Sequence, residues 1–342
     1  MRVGSNPEKF NKEISNNTYH RVVVPVFIPH FEGYFKNALQ ILELNLESLL
    51  LTVHDKTRIT IYNNNSIKAV KEYIDNLYNK HEIIDQVFHS KENLGKINAI
   101  LASVKGNLEP LITITDSDVF FKHDWQKQVE SIFQSFPTAG MVSPVPNSVA
   151  YKAFTANNWY MGIIGKASIR FEDVKDPFEM KKFELSLGKE VTLYSESHLE
   201  KYLVLSNSSG KAVMGSGHFV ATLRRKVFDE GSNSPAFLKI QGGVENKFID
   251  IPNEKLGFLR LSTLGNYAFH LGNVSEKWMI EEFKKLNQRK PNPPNSGSEF
   301  LQSERLNILK MNIGKAIRKF VLSRALKKRY FEYLGLKNGQ NY

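Results

Sequence analysis

The chain reads as an α/β protein, with a mostly parallel central sheet, flanking helices and a basic helical extension after them. Three observations predict this. Apolar β-branched runs alternate with amphipathic stretches up to residue 115, the pattern of strands joined by right-handed helical crossovers. These runs are continuously apolar, as strands buried on both faces are. The run Leu111-Ile112-Thr113-Ile114-Thr115 ends abruptly in Asp116-Ser117-Asp118, two carboxylates at i and i+2 where an open α/β sheet collects its ligands.

The first strand is residues 21–28, and Pro29 and Gly33 bracket the loop after it. Residues 34–51 form a helix, with Phe35, Leu39, Leu42, Leu46 and Leu49 at helical spacing. Next come a strand at 58–62, an Asn-rich turn at 63–66, a helix at 67–80 and a strand at 83–89. The loop Asn93-Leu94-Gly95 leads into a helix at 96–104, and the strand 111–115 closes this half. Beyond Asp118 the pattern loosens. Residues 125–136 read as helix and 140–145 as a short strand, while 146–212 are poorly periodic. Residues 212–222 read as one strand containing Gly215-Ser216-Gly217. Gly242-Gly243 precedes a helix at about 244–255, disturbed by Pro252, and strands follow near 258–261 and 267–270. Residues 287–298 are a linker by composition. The organisation expected is a polar segment at 1–20, an α/β domain at 21–286, a linker at 287–299 and a tail at 300–342.

With 342 residues, 41% hydrophobic and 24% charged, the chain has the composition of an ordinary globular protein. Cysteine is absent, which excludes disulfides, thiolate nucleophiles and Cys-based zinc sites and fits a cytoplasmic location. No apolar run reaches membrane-spanning length, and the first 20 residues carry no signal-peptide pattern. Residues 301–342 hold ten Lys/Arg against two Glu, +8 of the chain's +11. The basicity therefore belongs mainly to the tail.

Carboxylates such as Asp116 and Asp118 offer hard oxygen ligands, which suit Mg²⁺ or Mn²⁺ shared with substrate phosphates. The same pair is also common where a strand gives way to a turn.

The order of these pieces resembles a GT-A nucleotide-sugar glycosyltransferase, most closely glycosyltransferase family 2, over about residues 22–272. Val23-Val24-Pro25-Val26-Phe27 is similar to that family's first strand, whose Pro-containing end lies under the nucleotide base. Ile61-Tyr62-Asn63-Asn64-Asn65-Ser66 resembles its second-strand motif, and Asn93-Leu94-Gly95-Lys96 its Asn-x-Gly loop. Asp116-Ser117-Asp118 resembles the metal and diphosphate motif, Gly215-Ser216-Gly217-His218-Phe219 the glycine-rich acceptor-side strand, and Ala268-Phe269-His270 a late strand with a metal-binding His. Two positions depart from the pattern. Asn63 stands where an Asp normally meets uracil, and Val244-Glu245-Asn246 replaces a Glu-Asp pair whose second member is the usual general base. An amide there cannot take a proton near neutral pH.

The resemblance implies a GT-A fold, Rossmann-like, and a metal-dependent transfer from a nucleoside diphosphate sugar, with a UDP-sugar as donor and Mn²⁺ or Mg²⁺ as cofactor. It implies Asp118 as a direct ligand, Asp116 at the metal or ribose, and His270 as a further ligand. Pro25, Phe27, Asn63, Asn65, Asn93, Gly95, Lys96 and Ser117 would hold the base, ribose and diphosphate. Glu245 is left as the candidate base for an inverting reaction, and Glu245→Gln is then expected to abolish transfer while leaving donor binding intact. Transfer with retention is the alternative if Glu245 only orients the acceptor. Trp159 and Tyr160 read either as an acceptor platform or as core.

The acceptor class expected is a glycan or lipid-linked glycan in surface polysaccharide synthesis. In the tail, Leu306, Leu309, Ile313, Ile317 and Phe320 share one helical face, with Lys315, Arg318 and Lys319 largely on the other. Such a helix either lies on an anionic membrane surface, placing residues 301–336 at the cytoplasmic face of a membrane, or packs its apolar face on the α/β domain. Nucleic-acid binding is set aside because no recognition motif accompanies the charge. A catalytically silent module serving as an assembly partner is the competing class, prompted by Asn63 and Asn246.

Overall fold

The computed structural model describes residues 3–10, 14, 16–188, 190–232, 234–239, 244–288, 301–337 and 342. The strands are, in chain order, β1 (His20–Val26), β2 (Thr57–Asn64), β3 (Ile84–Ser90), β4 (Leu111–Thr115), β5 (Val119–Phe121) and β6 (Ala139–Ser143). They continue with β7 (Ser168–Asp173), β8 (Lys201–Ser206), β9 (Lys211–Met214), β10 (Val220–Arg224), β11 (Leu259–Ser262) and β12 (Ala268–His270). Ten of them form one sheet in the order β3-β2-β1-β4-β10-β6-β11-β9-β8-β7.

Its first half is parallel, with Val26 opposite Asn63 and Val23 opposite Ile114. Helices α1 (Ala38–Thr52), α2 (Lys68–Lys80) and α3 (Lys96–Lys105) make the crossovers. The continuous apolar run of β1 explains why both faces are covered. Val22, Val24 and Val26 pack with Leu42, Leu46 and Leu49 of α1, while Val23 packs on the other side with Ile97, Ile100 and Val104 of α3. Each such side chain fully buried contributes roughly 1.5–3 kcal/mol of transfer free energy.

The second half is mixed. β10 runs antiparallel between β4 and β6, β11 is parallel to β6, and β9, β8 and β7 follow in antiparallel succession. Helices α4 (Trp125–Ser135), α5 (Ala156–Ile163) and α6 (Pro177–Ser186) pack around it. β5 and β12 form a separate antiparallel ladder that sets His270 opposite Val119, one residue after Asp118.

Several elements differ from the sequence expectation. Residues 212–222 are two strands, because Gly215 takes a left-handed φ of +99° and the chain turns between β9 and β10. The helix expected at 244–255 is present but widens into a π-helical turn at Asn246–Asp250 before α-helical geometry resumes at Ile251–Lys255, and Pro252, which cannot donate a backbone hydrogen bond, follows directly on the wide turn. The poorly periodic stretch 146–212 holds α5, β7, α6 and β8. Gly242-Gly243, residues 289–299 of the linker and residue 300 at the start of the tail lie outside the described residues.

The tail packs on this domain. Its helix Ile308–Val321 crosses α5 so closely that a Cβ on Gly314 would sit 2.3 Å from the Ala156 carbonyl oxygen. Met311, Gly314 and Val321 are buried there, whereas Leu309 and Phe320, expected on the apolar face, are each 66% exposed. Arg318 pairs with Glu254 at 3.0 Å. Among the described residues no helix is long and apolar enough to cross a membrane.

Candidate active site

The carboxyl ends of β1, β2 and β4 and the start of α3 converge on a cavity of roughly 360 Å³. Pro25 and Phe27 form one wall, and Asn64, Asn93, Lys96, Asp116, Ser117, Asp118 and Glu245 also line it. The Asn93 loop is held by amides. Asn64 Nδ2 donates to Asn93 Oδ1 (2.8 Å), Leu94 N donates to Asn64 Oδ1 (2.8 Å), and Gly95 N donates to Asn93 Oδ1 (2.9 Å). Gly95 is required here: its φ is +83°, and a Cβ would lie 2.8 Å from the Lys239 backbone.

That loop starts α3 with Lys96 aimed into the cavity. Its ammonium contacts Asp116 and stands 2.6 Å from Glu245 Oε1. Burial opposes the charged form of Lys96, but Asp116 and Glu245 outweigh it and raise the pKa above the usual lysine value. One lysine thus joins two carboxylates that are far apart in sequence.

Asp118 is placed differently. Burial raises its pKa, with His270 working the other way. Its Oδ1 is buried without a hydrogen-bond partner among the described residues, and its Oδ2 is 3.5 Å from His270 Nε2. The tautomer of His270 follows from its neighbour. Ser186 Oγ donates to the Phe183 carbonyl (2.6 Å), so at 2.9 Å from His270 Nδ1 it accepts that N–H. Nε2 is left with a lone pair facing Asp118, the orientation that an outer-sphere partner gives a metal-ligating histidine. An orphaned carboxylate oxygen and an imidazole lone pair side by side fit a divalent cation.

Other expected residues lie elsewhere. Asn63 is buried with its amide already used, accepting from Ser66 N (2.9 Å) and meeting His89 Nδ1 (2.9 Å), and it is not part of the cavity lining. Asn64, the next residue, takes that place because successive side chains of a strand face opposite ways. Asn65 has φ +67° and lines a neighbouring hollow with Phe27, Asn93 and Lys239. Trp159 is fully buried and belongs to the core. Tyr160 lies under the tail helix near Gly314.

A second cavity adjoins the first, sharing Asp116 and Glu245 with it and adding His218, Phe219, Arg260 and His270. His218 Nε2 contacts Asp250 Oδ2, and Asp250 Oδ1 is 2.8 Å from Arg260 Nε. Asp250 is fully buried. The residue pattern of the sequence pointed to His218 only as part of the glycine-rich segment, and gave no signal for Asp250 or Arg260.

Among the described residues, one trio of His, Asp or Glu side chains brings a ligand atom each within 4.8 Å of one another: His20, His54 and Glu130. It lies at the opposite end of the sheet. Glu130 there accepts from His20 Nδ1 (2.9 Å), His54 Nε2 (3.0 Å) and the Tyr19 hydroxyl (3.1 Å). The backbone N–H of Lys56 donates to His54 Nδ1 (3.2 Å), which keeps the His54 proton on Nε2. The trio is satisfied by its own protons and is a structural network.

Residues 27–185 match the family described as glycosyl transferase family 2. The matched segment runs from the end of β1 through α6 and carries the Asn93 loop and both aspartates. That segment is similar to glycosyl transferase family 2, and this supports reading the chain as a glycosyltransferase. No curated protein sequence matches it. Among solved structures, it is similar to the mannosyltransferase PcManGT from Pyrobaculum calidifontis in complex with GDP-Man and Mn²⁺, at 12% identity and TM-score 0.46, covering 92% of this chain and 72% of that one. It is similar to GalNAc-T7 with UDP, GalNAc and Mn²⁺ at 16% identity and TM-score 0.45, covering 79% of this chain and 48% of that one. The TarS fragment 1–349 of S. aureus aligns at 13% identity and TM-score 0.43, covering 90% of this chain and 73% of that one.

Proposed function

We propose that the protein transfers a sugar from a nucleoside diphosphate, with UDP-sugars the first donors to test, to a glycan or lipid-linked glycan during surface polysaccharide synthesis. The observation that carries this reading is the Asp118 carboxylate, with Oδ1 buried and without a hydrogen-bond partner among the described residues and Oδ2 3.5 Å from the Nε2 lone pair of His270, at the strand ends and beside Lys96. Asp118 and His270 would hold Mn²⁺ or Mg²⁺, with Asp116 at the ribose or at a metal-bound water. When bound, the cation supplies Lewis-acid stabilisation of the charge on the leaving diphosphate. The Lys96 ammonium adds a fixed positive charge on the same side. Pro25, Phe27 and Asn64, which line the cavity, would meet the base and ribose, Asn93 and Ser117 with the Gly95 turn would meet the phosphates, and Asn65 would stand at the outer edge.

The tail adds a proposed location, the cytoplasmic face of an anionic membrane. Ile308, Leu309 and Phe320 are exposed on the helix that also exposes Lys310, Lys315 and Lys319. That combination suits interfacial binding to acidic lipid.

The test is thermal stability with UDP, GDP and CMP, each with and without Mn²⁺, for wild type and Asp118→Ala. Binding to the native state at a hundredfold excess over Kd stabilises by about 2.7 kcal/mol. A metal-dependent upshift with one nucleotide, absent in Asp118→Ala, is the expected result. No shift with any nucleotide would return the weight to a catalytically silent assembly module.

A further inference from the structure

We propose that His218 takes the proton from the acceptor hydroxyl, given the glycosyl-transfer reading above, with Asp250 and Arg260 as positioning residues. Asp250 is fully buried and its two oxygens are divided: Oδ1 forms an ion pair with Arg260 Nε at 2.8 Å without hydrogen-bond geometry, and Oδ2 takes the hydrogen-bond contact with His218 Nε2. A carboxylate held by a guanidinium is an acceptor only, so the imidazole donates from Nε2 and keeps its lone pair on Nδ1. Nδ1 makes no hydrogen bond among the described residues. The ring is 26% exposed and opens into the cavity that also holds Glu245, Asp116, Arg260 and His270. An imidazole with one nitrogen fixed by a buried carboxylate and the other open to a substrate cavity has the arrangement of a general base.

The local backbone is built for this placement. Gly215 at φ +99° turns the chain against Ala150, where a Cβ would lie 2.5 Å from a backbone carbon, and His218 follows in the loop between β9 and β10. Asp250 ends the π-helical turn Asn246–Asp250, an irregularity often found at functional sites. Glu245 is less free for the task, since Oε1 already pairs with Lys96 at 2.6 Å.

The step balances as a single in-line displacement. A lone pair of the acceptor hydroxyl oxygen forms the new bond to the anomeric carbon while the bond from that carbon to the diphosphate oxygen breaks. The electron pair leaves on the nucleoside diphosphate, the hydroxyl proton passes to His218 Nδ1, and the anomeric centre inverts.

His218→Gln keeps an N–H for Asp250 but cannot accept a proton. The assay is release of nucleoside diphosphate from UDP-glucose, UDP-N-acetylglucosamine and GDP-mannose with Mn²⁺, water serving as acceptor, alongside nucleotide binding by calorimetry. The expected result is a fall in turnover of 10²–10⁴-fold, nucleotide Kd within twofold of wild type, and partial recovery on adding free imidazole. Asp250→Asn should lower turnover less and leave imidazole without effect. Undiminished release by His218→Gln, with nucleotide still bound, overturns the proposal and leaves the glycosyl-transfer reading standing. Absence of nucleotide binding by wild type instead removes that reading. Independently of turnover, long-range ¹H–¹⁵N spectra of the full chain should show His218 protonated on Nε2 alone, its signals identified by their loss in His218→Gln. A proton on Nδ1 would also overturn it.

Discussion

His270 Nε2 faces Asp118 Oδ2 at 3.5 Å, with the other oxygen of Asp118 buried and without a hydrogen-bond partner among the described residues. The gap is too long for a hydrogen bond and leaves a buried carboxylate oxygen uncompensated. A cation removes that cost, so the two residues should matter more to ligand binding than to folding.

Asp118→Asn tests the difference. Without metal, its melting temperature should hold or rise by a few degrees, because a buried charge is replaced by a neutral amide. The Mn²⁺-dependent shift with nucleotide should disappear. A large loss of stability in the metal-free variant would show that Asp118 has a folding partner instead.

Lys96→Met should leave Asp116 and Glu245 without their shared cation. Hydrogen bonds to charged groups contribute about 1.5–3 kcal/mol, so nucleoside diphosphate binding should weaken by about 10–150-fold in calorimetry. Lys96→Arg should recover part of it, since charge is restored and geometry is not.

Glu245→Gln separates two roles. A carboxylate that is the sole base predicts loss of transfer with donor affinity kept. A carboxylate that mainly fixes Lys96 predicts weaker donor binding, by about tenfold, and a smaller fall in turnover than His218→Gln shows. The split between Kd and turnover decides.

The network at the opposite end of the sheet predicts acid sensitivity. Burial raises the Glu130 pKa, but hydrogen bonds from His20 and His54 reverse this and bring it down to about 2. Burial also lowers the pKa of His20. Both groups therefore bind protons more readily unfolded than folded, so stability is fully present at pH 7. It should decline first as the pH passes below the unfolded histidine value near 6.5, then further from about 4.5 down toward 2. Glu130→Gln should cost about 3 kcal/mol at pH 7 and flatten the lower part of this profile in thermal melts. Chelators should leave the wild-type profile unchanged.

Flotation tests the tail. Full-length protein should rise with vesicles rich in phosphatidylglycerol at low salt and stay behind with phosphatidylcholine alone. Each basic residue near the surface contributes about 1 kcal/mol, so K315E/K319E should reduce binding by at least tenfold, and Phe320→Ser should reduce it further. Equal binding to both vesicle types would remove the electrostatic part of the proposal.

The parallel half of the fold was legible because its strands are continuous apolar runs and its helices have clear periodicity. Residues 22–26 and 111–115 announce both the core and the place where Asp116 and Asp118 emerge. The second half was harder. β7 and β8 stand at one end of the sheet, and Ser168, Arg170 and Glu172 give β7 a mixed pattern that hides it among loops. The site divides the same way. Lys96 and Asp116 follow strand ends and loops visible in sequence, but Ser186, Asp250 and Arg260 act through contacts made only when distant segments pack. Asn63 and Asn64 show how one residue of register on a strand changes which amide meets the cavity.

The ammonium of Lys96 lines the first cavity and is held between Asp116 and Glu245, the two carboxylates that line both cavities. A diphosphate arriving in the first cavity draws on the same positive charge, so Glu245 gains rotational freedom only after the donor is seated. For the proposed transfer this predicts a compulsory order, with the nucleotide sugar entering first and the nucleoside diphosphate leaving last. Product-inhibition patterns should then show nucleoside diphosphate competitive against donor and noncompetitive against acceptor.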